Sequence, residues 1–323
     1  MSHARQVAAG ALAPAAGPGR DVGLPGGGRR RGIRGRFRGR SWVGWLFVAP
    51  ALIVYAALVL RPLTMSIQYS FYDWNGIGAA TWVGLDNYAE VFQDPSRLRA
   101  LGNSFRLIFF YSFLSIAIGL VAATLTRSLA SRWARAAQTA LFLPQVVPLV
   151  GAGIAWTWLY ASDGAINQIL TAVGLESWTR PWLADFDLAL PAVGVVGTWV
   201  LVGLCTMLLS TGMAKIDPAL YDAARVDGAG PVQEFFAVTL PGVRAELAVC
   251  LTVTLIAALA SFDVIYTMTL GGPGGATMVP GVDIYQLAFN QSRVGAASAM
   301  AVVLMALVLA VVVPLQYLVR ERS

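Results

Sequence analysis

Long apolar stretches separated by short polar ones run through most of this chain. Trp42 to Leu60 carries no charged residue, nor does anything between Arg106 and Arg127. Each run is close to the roughly 20 residues that a helix needs to cross a bilayer core. Four further runs have the same character: Ala140 to Leu159, Leu188 to Leu209, Leu247 to Leu270 and Ala296 to Leu318, the fifth run being interrupted by Asp263. The pattern predicts an all-α polytopic membrane protein with about six transmembrane helices. Residues 1–41 are rich in Gly, Ala, Pro and Arg and lack apolar periodicity, so they read as a disordered tail. The apolar run after them is longer than that of a cleavable signal peptide, and the tail is expected to be retained. Residues 42–323 then form a single membrane domain.

One polar stretch, 217–241, is punctuated like a pair of helices. Asp217 is a helix-capping residue type, Pro218 is preset for the first helical position, and Gly228 is suited to a left-handed turn at the end. Gly230-Pro231 then opens a second helix through Phe235 and Phe236, which Pro241 is expected to stop because it has no amide hydrogen to donate. Ala223 and Ala224 keep one face of the first helix small, permitting close backbone approach.

Composition sharpens the class. Only 12% of the residues are charged and 57% are hydrophobic, whereas a soluble domain has about 25% charged residues. Basic residues vote on orientation, since Lys and Arg in short loops stay in the cytoplasm. Nine Arg precede Trp42, Arg127, Arg132 and Arg135 follow the second run, and Arg320 and Arg322 close the chain. The alternate connectors carry Asp163, Glu176, Asp185 and Asp187 against Arg180, and Asp283 with Arg293. Both termini, and with them the 217–241 connector, are therefore expected in the cytoplasm. Arg29 to Arg40, beside a span, reads as a topogenic cluster drawn to lipid headgroups, with no nucleic-acid role. Cys205 and Cys250 lie in apolar runs without metal-ligand spacing, and the one histidine is His3 in the tail. A histidine-dependent triad or metal site inside the membrane is thereby excluded. No GxxxxGK[ST] phosphate loop occurs, so the chain is not expected to bind ATP in the usual manner, and no cofactor is expected.

Asp222, Ala223, Ala224, Gly228, Val238, Leu240 and Pro241 stand at the spacing of the cytoplasmic loop of binding-protein-dependent ABC importer permeases, and the chain resembles that family. Asp222 replaces the usual glutamate. Trp82 to Tyr88, Asn103-Ser104, Gly164 to Asn167, and Phe262 to Pro273 followed by Thr277 are similar to phrases of the carbohydrate-type members, those for maltose or glycerol phosphate. The resemblance implies the ABC importer permease fold, with a coupling helix between spans four and five. Tyr221 to Asp227 would sit in a groove of a separate ATPase subunit and move as a lever, with Gly228, Leu240 and Pro241 shaping the loop. It also implies a second homologous permease, two ATPase copies and an extracytoplasmic solute-binding protein, in a bacterial cell membrane. The solute would be a sugar or a related polyol or glycerol phosphate.

Sugar rings stack their apolar faces on aromatics, which nominates Trp156, Trp158, Phe262 and Tyr266 as cavity residues. Asp263 would cost about 2.5–3.5 kcal/mol at a helix centre, so it is expected to face a wet cavity, a polar partner or the outer interface. A permease for phosphate, polyamines or peptides shares the coupling loop and lacks only the carbohydrate-type phrases. An ion-coupled transporter would want more intramembrane carboxylates than Asp263 alone. An intramembrane enzyme would need a nucleophile–base pair or metal ligands that the spans do not offer.

Overall fold

The computed structural model describes residues 41–127 and 129–320. The tail expected over 1–41 lies outside the described residues except for Ser41, which opens the first helix. The described residues fall into two units, divided between Tyr55 and Ala56. In the first, the helix Ser41–Tyr55 has apolar residues on every face, with Phe47 82% and Ile53 68% exposed. A helix apolar all round belongs in hydrocarbon.

Four helices of the described residues are long and apolar enough to cross a bilayer: Trp45–Tyr69, Pro95–Arg127, Ala189–Met213 and Val294–Tyr317. Two bent pairs bring the number to six if each counts as one span: Ser131–Val146 with Leu149–Leu159, at 99°, and Pro231–Gly242 with Arg244–Leu259, at 71°. We number the spans one to six in chain order. The rest is short helices, loops and one two-stranded ladder, in which Tyr72 pairs with Trp82 and Asp73 with Thr81.

Three departures from the apolar pattern have local causes. The run Ala140–Leu159 breaks at Val147 and Pro148, both in extended backbone, because proline pushes its predecessor out of the helical region. The run Leu247–Leu270 stops being helical after Leu259 and resumes as a short separate helix, Asp263–Met268. Pro241 does not stop its helix. The preceding π-helical turn, Phe235–Thr239, widens the backbone and makes room for the ring, so that Leu240–Gly242 stays helical and the chain turns at Val243 instead.

Span four is the centre of the second unit, its most apolar window being 72% buried against 33% for spans two and six. It accepts its neighbours through glycines. A Cβ at Gly197 would stand 1.8 Å from Cε1 of Tyr111, and one at Gly203 would stand 2.1 Å from the backbone oxygen of Leu141. Span two meets span four through a π-helical stretch, Phe109–Leu114. The carbonyl of Phe110 accepts hydrogen bonds from Thr198 Oγ1 at 2.9 Å and Ser115 Oγ at 3.2 Å.

Spans two and six begin at the same end, where Glu90 binds Arg293 and the buried Arg97, each at 2.8 Å. Three buried asparagines hold the loops there. Asn87 donates to the carbonyls of Ser70 and Tyr72, Asn103 to those of Ala276 and Met278, and Asn167 to those of Ser162 and Arg180. The hydrogen bond from Arg293, helped by Arg97, holds the Glu90 carboxyl below its ordinary value of 4.5 against an opposing effect of burial.

Two measurements test this packing. Gly203→Ala is expected to destabilise the protein by about 1–3 kcal/mol through overpacking against backbone, while Gly102→Ala, whose added Cβ meets nothing within 4 Å, is neutral or stabilising; thermal unfolding in detergent reads both. A depressed carboxyl stabilises the fold above its unfolded pKa and loses that contribution as pH falls through the folded one. The unfolding temperatures of wild type and Glu90→Gln should therefore differ at neutral pH and converge as pH drops below 4.5.

Candidate functional site

At the end opposite Glu90, the 217–241 connector folds as helix, turn, helix. Asp217 Oδ1 accepts from the amide of Ala219 at 2.9 Å and caps the helix Pro218–Val226. Gly228 closes it with φ +82°, its amide bonding to Arg225 O and that of Ala229 to Ala224 O, at 3.0 and 2.9 Å. Those two bonds make a Schellman turn, which needs a left-handed residue at this position. The amide of Gly230 donates to Gln233 Oε1 at 3.0 Å and starts the second helix. Arg225 ties the two limbs together, its Nε and Nη2 reaching the Glu234 carboxylate at 3.1 and 3.2 Å.

Tyr221 anchors the element. It is 2% exposed, its hydroxyl lies 3.1 Å from Thr239 Oγ1, and the Arg127 guanidinium sits over its ring at 3.9 Å. The ring is thus clamped between the last residue of span two and the second limb. The opposite face is open: Asp222, Ala223, Asp227 and Gly228 are exposed, as are Leu220 and Val226. Pro241 is exposed, while Leu240 and Ala224 are half-buried. The connector therefore presents small, acidic and apolar side chains on a rigid base.

Between the spans lies a cavity of about 320 Å³, within the range of roughly 300–1,000 Å³ for small-molecule sites. Both helix breaks line it, Gln145 and Val147 at one, Ser261, Phe262 and Asp263 at the other, with Tyr111 between them. Tyr111 Oη stands 3.3 Å from Ser261 Oγ, and the buried Gln145 Oε1 has no hydrogen-bond partner among the described residues. Irregular backbone at membrane depth is tolerated where it lines such a cavity. The side chains at these breaks offer hydroxyl, amide and carboxylate groups beside aromatic faces, which is what a polyhydroxylated solute can use.

A profile of the family described as "Binding-protein-dependent transport system inner membrane component" matches residues 115–323. The chain belongs to this family. The "Probable ABC transporter permease protein YurN" of Bacillus subtilis (strain 168) is 36% identical over 275 residues, 83% of this chain and 92% of that protein. The "Diacetylchitobiose uptake system permease protein NgcF" of Streptomyces coelicolor is 33% identical over 275 residues, 81% of this chain and 78% of that protein. The same fold occurs in a crystal structure of a bacterial ABC transporter that imports alginate, with TM-score 0.75, 24% identity, and coverage of 87% of this chain and 96% of that one. The permease is thus a multi-pass membrane subunit of an ABC importer, and ATP hydrolysis belongs to a separate subunit.

The permease brings only some of the residues nominated for a solute path to one cavity. Phe262 and Asp263 line the cavity, and Tyr266 stacks on Phe262 at 5.1 Å without lining it. The two tryptophans are elsewhere. Trp156 packs against Trp199 and Tyr160, and Trp158 is 74% exposed. Two residues apart on a helix point in nearly opposite directions, so Trp156 and Trp158 do not share a face. Tyr111, Gln145 and Ser261 also line the cavity and were not among the residues nominated from the sequence. Gln145 could have been found as a polar residue flanked by Pro144 and Pro148 inside an apolar run.

Asp217→Ala is expected to cost about 1 kcal/mol, the usual worth of a cap. Asp222→Ala should leave thermal stability unchanged, since its carboxylate is 73% exposed and reaches Arg225 only at 3.4 Å; a loss equal to that of Asp217→Ala would show that the Asp222 face is structural.

Proposed function

We propose that this permease imports a sugar or related polyol, received from an extracytoplasmic binding protein, and is driven through the 217–241 connector by an ATPase subunit. The observation that carries this reading is the Tyr221 anchor: a helix fixed to spans two and five on one face, with Asp222, Ala223 and Asp227 exposed on the other. Such an element transmits displacement without unfolding. The cavity supports the solute class, because hydroxyl, amide and carboxylate groups stand beside Phe262. The uptake role in the name of the diacetylchitobiose relative points the same way.

In the working assembly, the permease pairs with a second, homologous permease and two ATPase copies. Tyr221 to Asp227 occupies a groove of one ATPase, with Gly228, Leu240 and Pro241 holding the loop's shape. Closure of the ATPases moves the connector and switches the cavity between outward-facing and inward-facing. Arg127, Arg132 and Arg135 at the connector's end favour a cytoplasmic location for it, with both termini on the same side. Phe262 and Asp263 belong to the solute path, and Tyr266 supports Phe262 from behind.

Gly228→Val forces a β-branched side chain into left-handed backbone, a strain of about 1–3 kcal/mol, though its Cβ would meet nothing within 4 Å. It is expected to abolish sugar uptake while the protein remains in the membrane; full uptake would refute the lever. In intact cells, Asp222→Cys should react with an impermeant thiol reagent only after permeabilisation. Reaction beforehand would place the connector outside and end this reading.

A further inference from the structure

A second cavity of about 360 Å³ lies between the start of span four and the middle of span two, and no step of the proposed cycle uses it. Its walls are Arg106, Phe109 and Phe110 of span two, Phe186 and Asp187 ahead of span four, and the start of span four itself. Along span four this cavity touches Leu190 and Pro191, and the inner one touches Gly197, Val200, Leu201 and Leu204. At 1.5 Å per residue the nearest of those positions, Pro191 and Gly197, are about 9 Å apart along the helix axis. Span two contributes consecutive side chains to the two cavities, Phe110 to the outer and Tyr111 to the inner.

The charges here are not spent on each other. Arg106 donates to Asn103 Oδ1 at 3.3 Å and to no other side chain among the described residues, and the exposed Asp187 carboxylate has no partner among them. Phe186 is 67% exposed yet held in place, since a Cβ at Gly274 would stand 2.7 Å from its Cε1. The Gly-Gly-Pro loop, conspicuous in the sequence, thus serves as the bed for an exposed aromatic ring.

An unpaired guanidinium and an unpaired carboxylate at one aromatic-lined cavity suit a neutral ring carrying many hydroxyls. Arg106 can donate to oxygens, Asp187 can accept from hydroxyls, and phenyl faces can cover the C–H side of the ring. An anion would meet Asp187 and a cation would meet Arg106. We propose that this cavity is an outer station that binds a neutral sugar before it reaches the cavity between the helix breaks. The inference rests on the sugar reading above and adds a second binding site to it.

The test uses the complete transporter in nanodiscs with Ala276→Cys, a wall position of the outer cavity, or Val147→Cys, a wall position of the inner one. Pro191→Cys, also on the outer wall, serves if Ala276→Cys does not fold. The native Cys205 and Cys250 are buried and should stay unlabelled. Maltose, lactose and diacetylchitobiose are the probes, with galacturonate as the anionic comparison. At least one neutral sugar is expected to slow thiol labelling several-fold at both cavities, and Arg106→Gln or Phe186→Ala should remove the protection at the outer one only. Protection at Val147→Cys alone would overturn the outer station and leave the sugar reading standing. Equal outer protection by galacturonate, or by sugar-free binding protein, would overturn the neutral-sugar assignment in favour of an anion site or a docking surface. Protection at neither cavity by any probe would overturn both readings.

Discussion

Backbone amides and carbonyls inside a bilayer have no water to bind, and that constraint organises this structure. Regular helix satisfies them, so every departure from helix must be compensated. At the π-helical stretch of span two, the carbonyl of Phe110 is taken up by Thr198 and Ser115. In the loop after Met268, Thr277 donates to the carbonyl of Gly272. At Val147-Pro148 and at Ala260 to Phe262 the compensation is a cavity, and the breaks are also where polar side chains gather. The interruption of two spans thus gathers hydroxyl, amide and carboxylate groups around one cavity.

Close approach is the second organising fact. Span four has glycine where three neighbours press hardest: Gly194 under the ring of Phe110, Gly197 under that of Tyr111, and Gly203 against the backbone of Leu141. Rings that would otherwise hold the helices apart are sunk into span four instead. The Tyr111 side chain consequently reaches Ser261 across the bundle and closes one side of the inner cavity.

Much of this was legible in the sequence, and the reasons for the remainder are specific. Apolar runs located the spans because hydrocarbon burial depends on composition. They could not show that two of the runs turn sharply, because hydropathy carries no direction. Pro148 was the readable sign at one break; the other, after Leu259, has no proline to mark it. Asp217, Pro218 and Gly228 foretold the connector helix because caps and left-handed turns are local chemistry. The inner cavity was only half visible. Phe262 and Asp263 were readable as an aromatic face and a lone carboxylate in an apolar run, and Gln145 sits beside the break that Pro148 marks, whereas Tyr111 joins them through a π-helical turn that hydropathy does not show. The buried asparagines show the converse case. Asn87, Asn103 and Asn167 belonged to phrases suggestive of a solute class, and their side chains are spent on loop carbonyls.

The clamp on Tyr221 has a mechanical corollary. Arg127, which covers the ring, closes the same helix that carries Tyr111 sixteen positions earlier, about 24 Å away at the rise of an α-helix. Thr239, which meets the hydroxyl, lies in the first limb of span five, whose second limb, Arg244–Leu259, leads towards Ser261. Span two thus runs from the clamp to Tyr111, whereas the path along span five turns through 71° at Val243 before it nears Ser261. The Tyr111–Ser261 contact on the wall of the inner cavity therefore joins the same two spans that grip Tyr221 at their other ends.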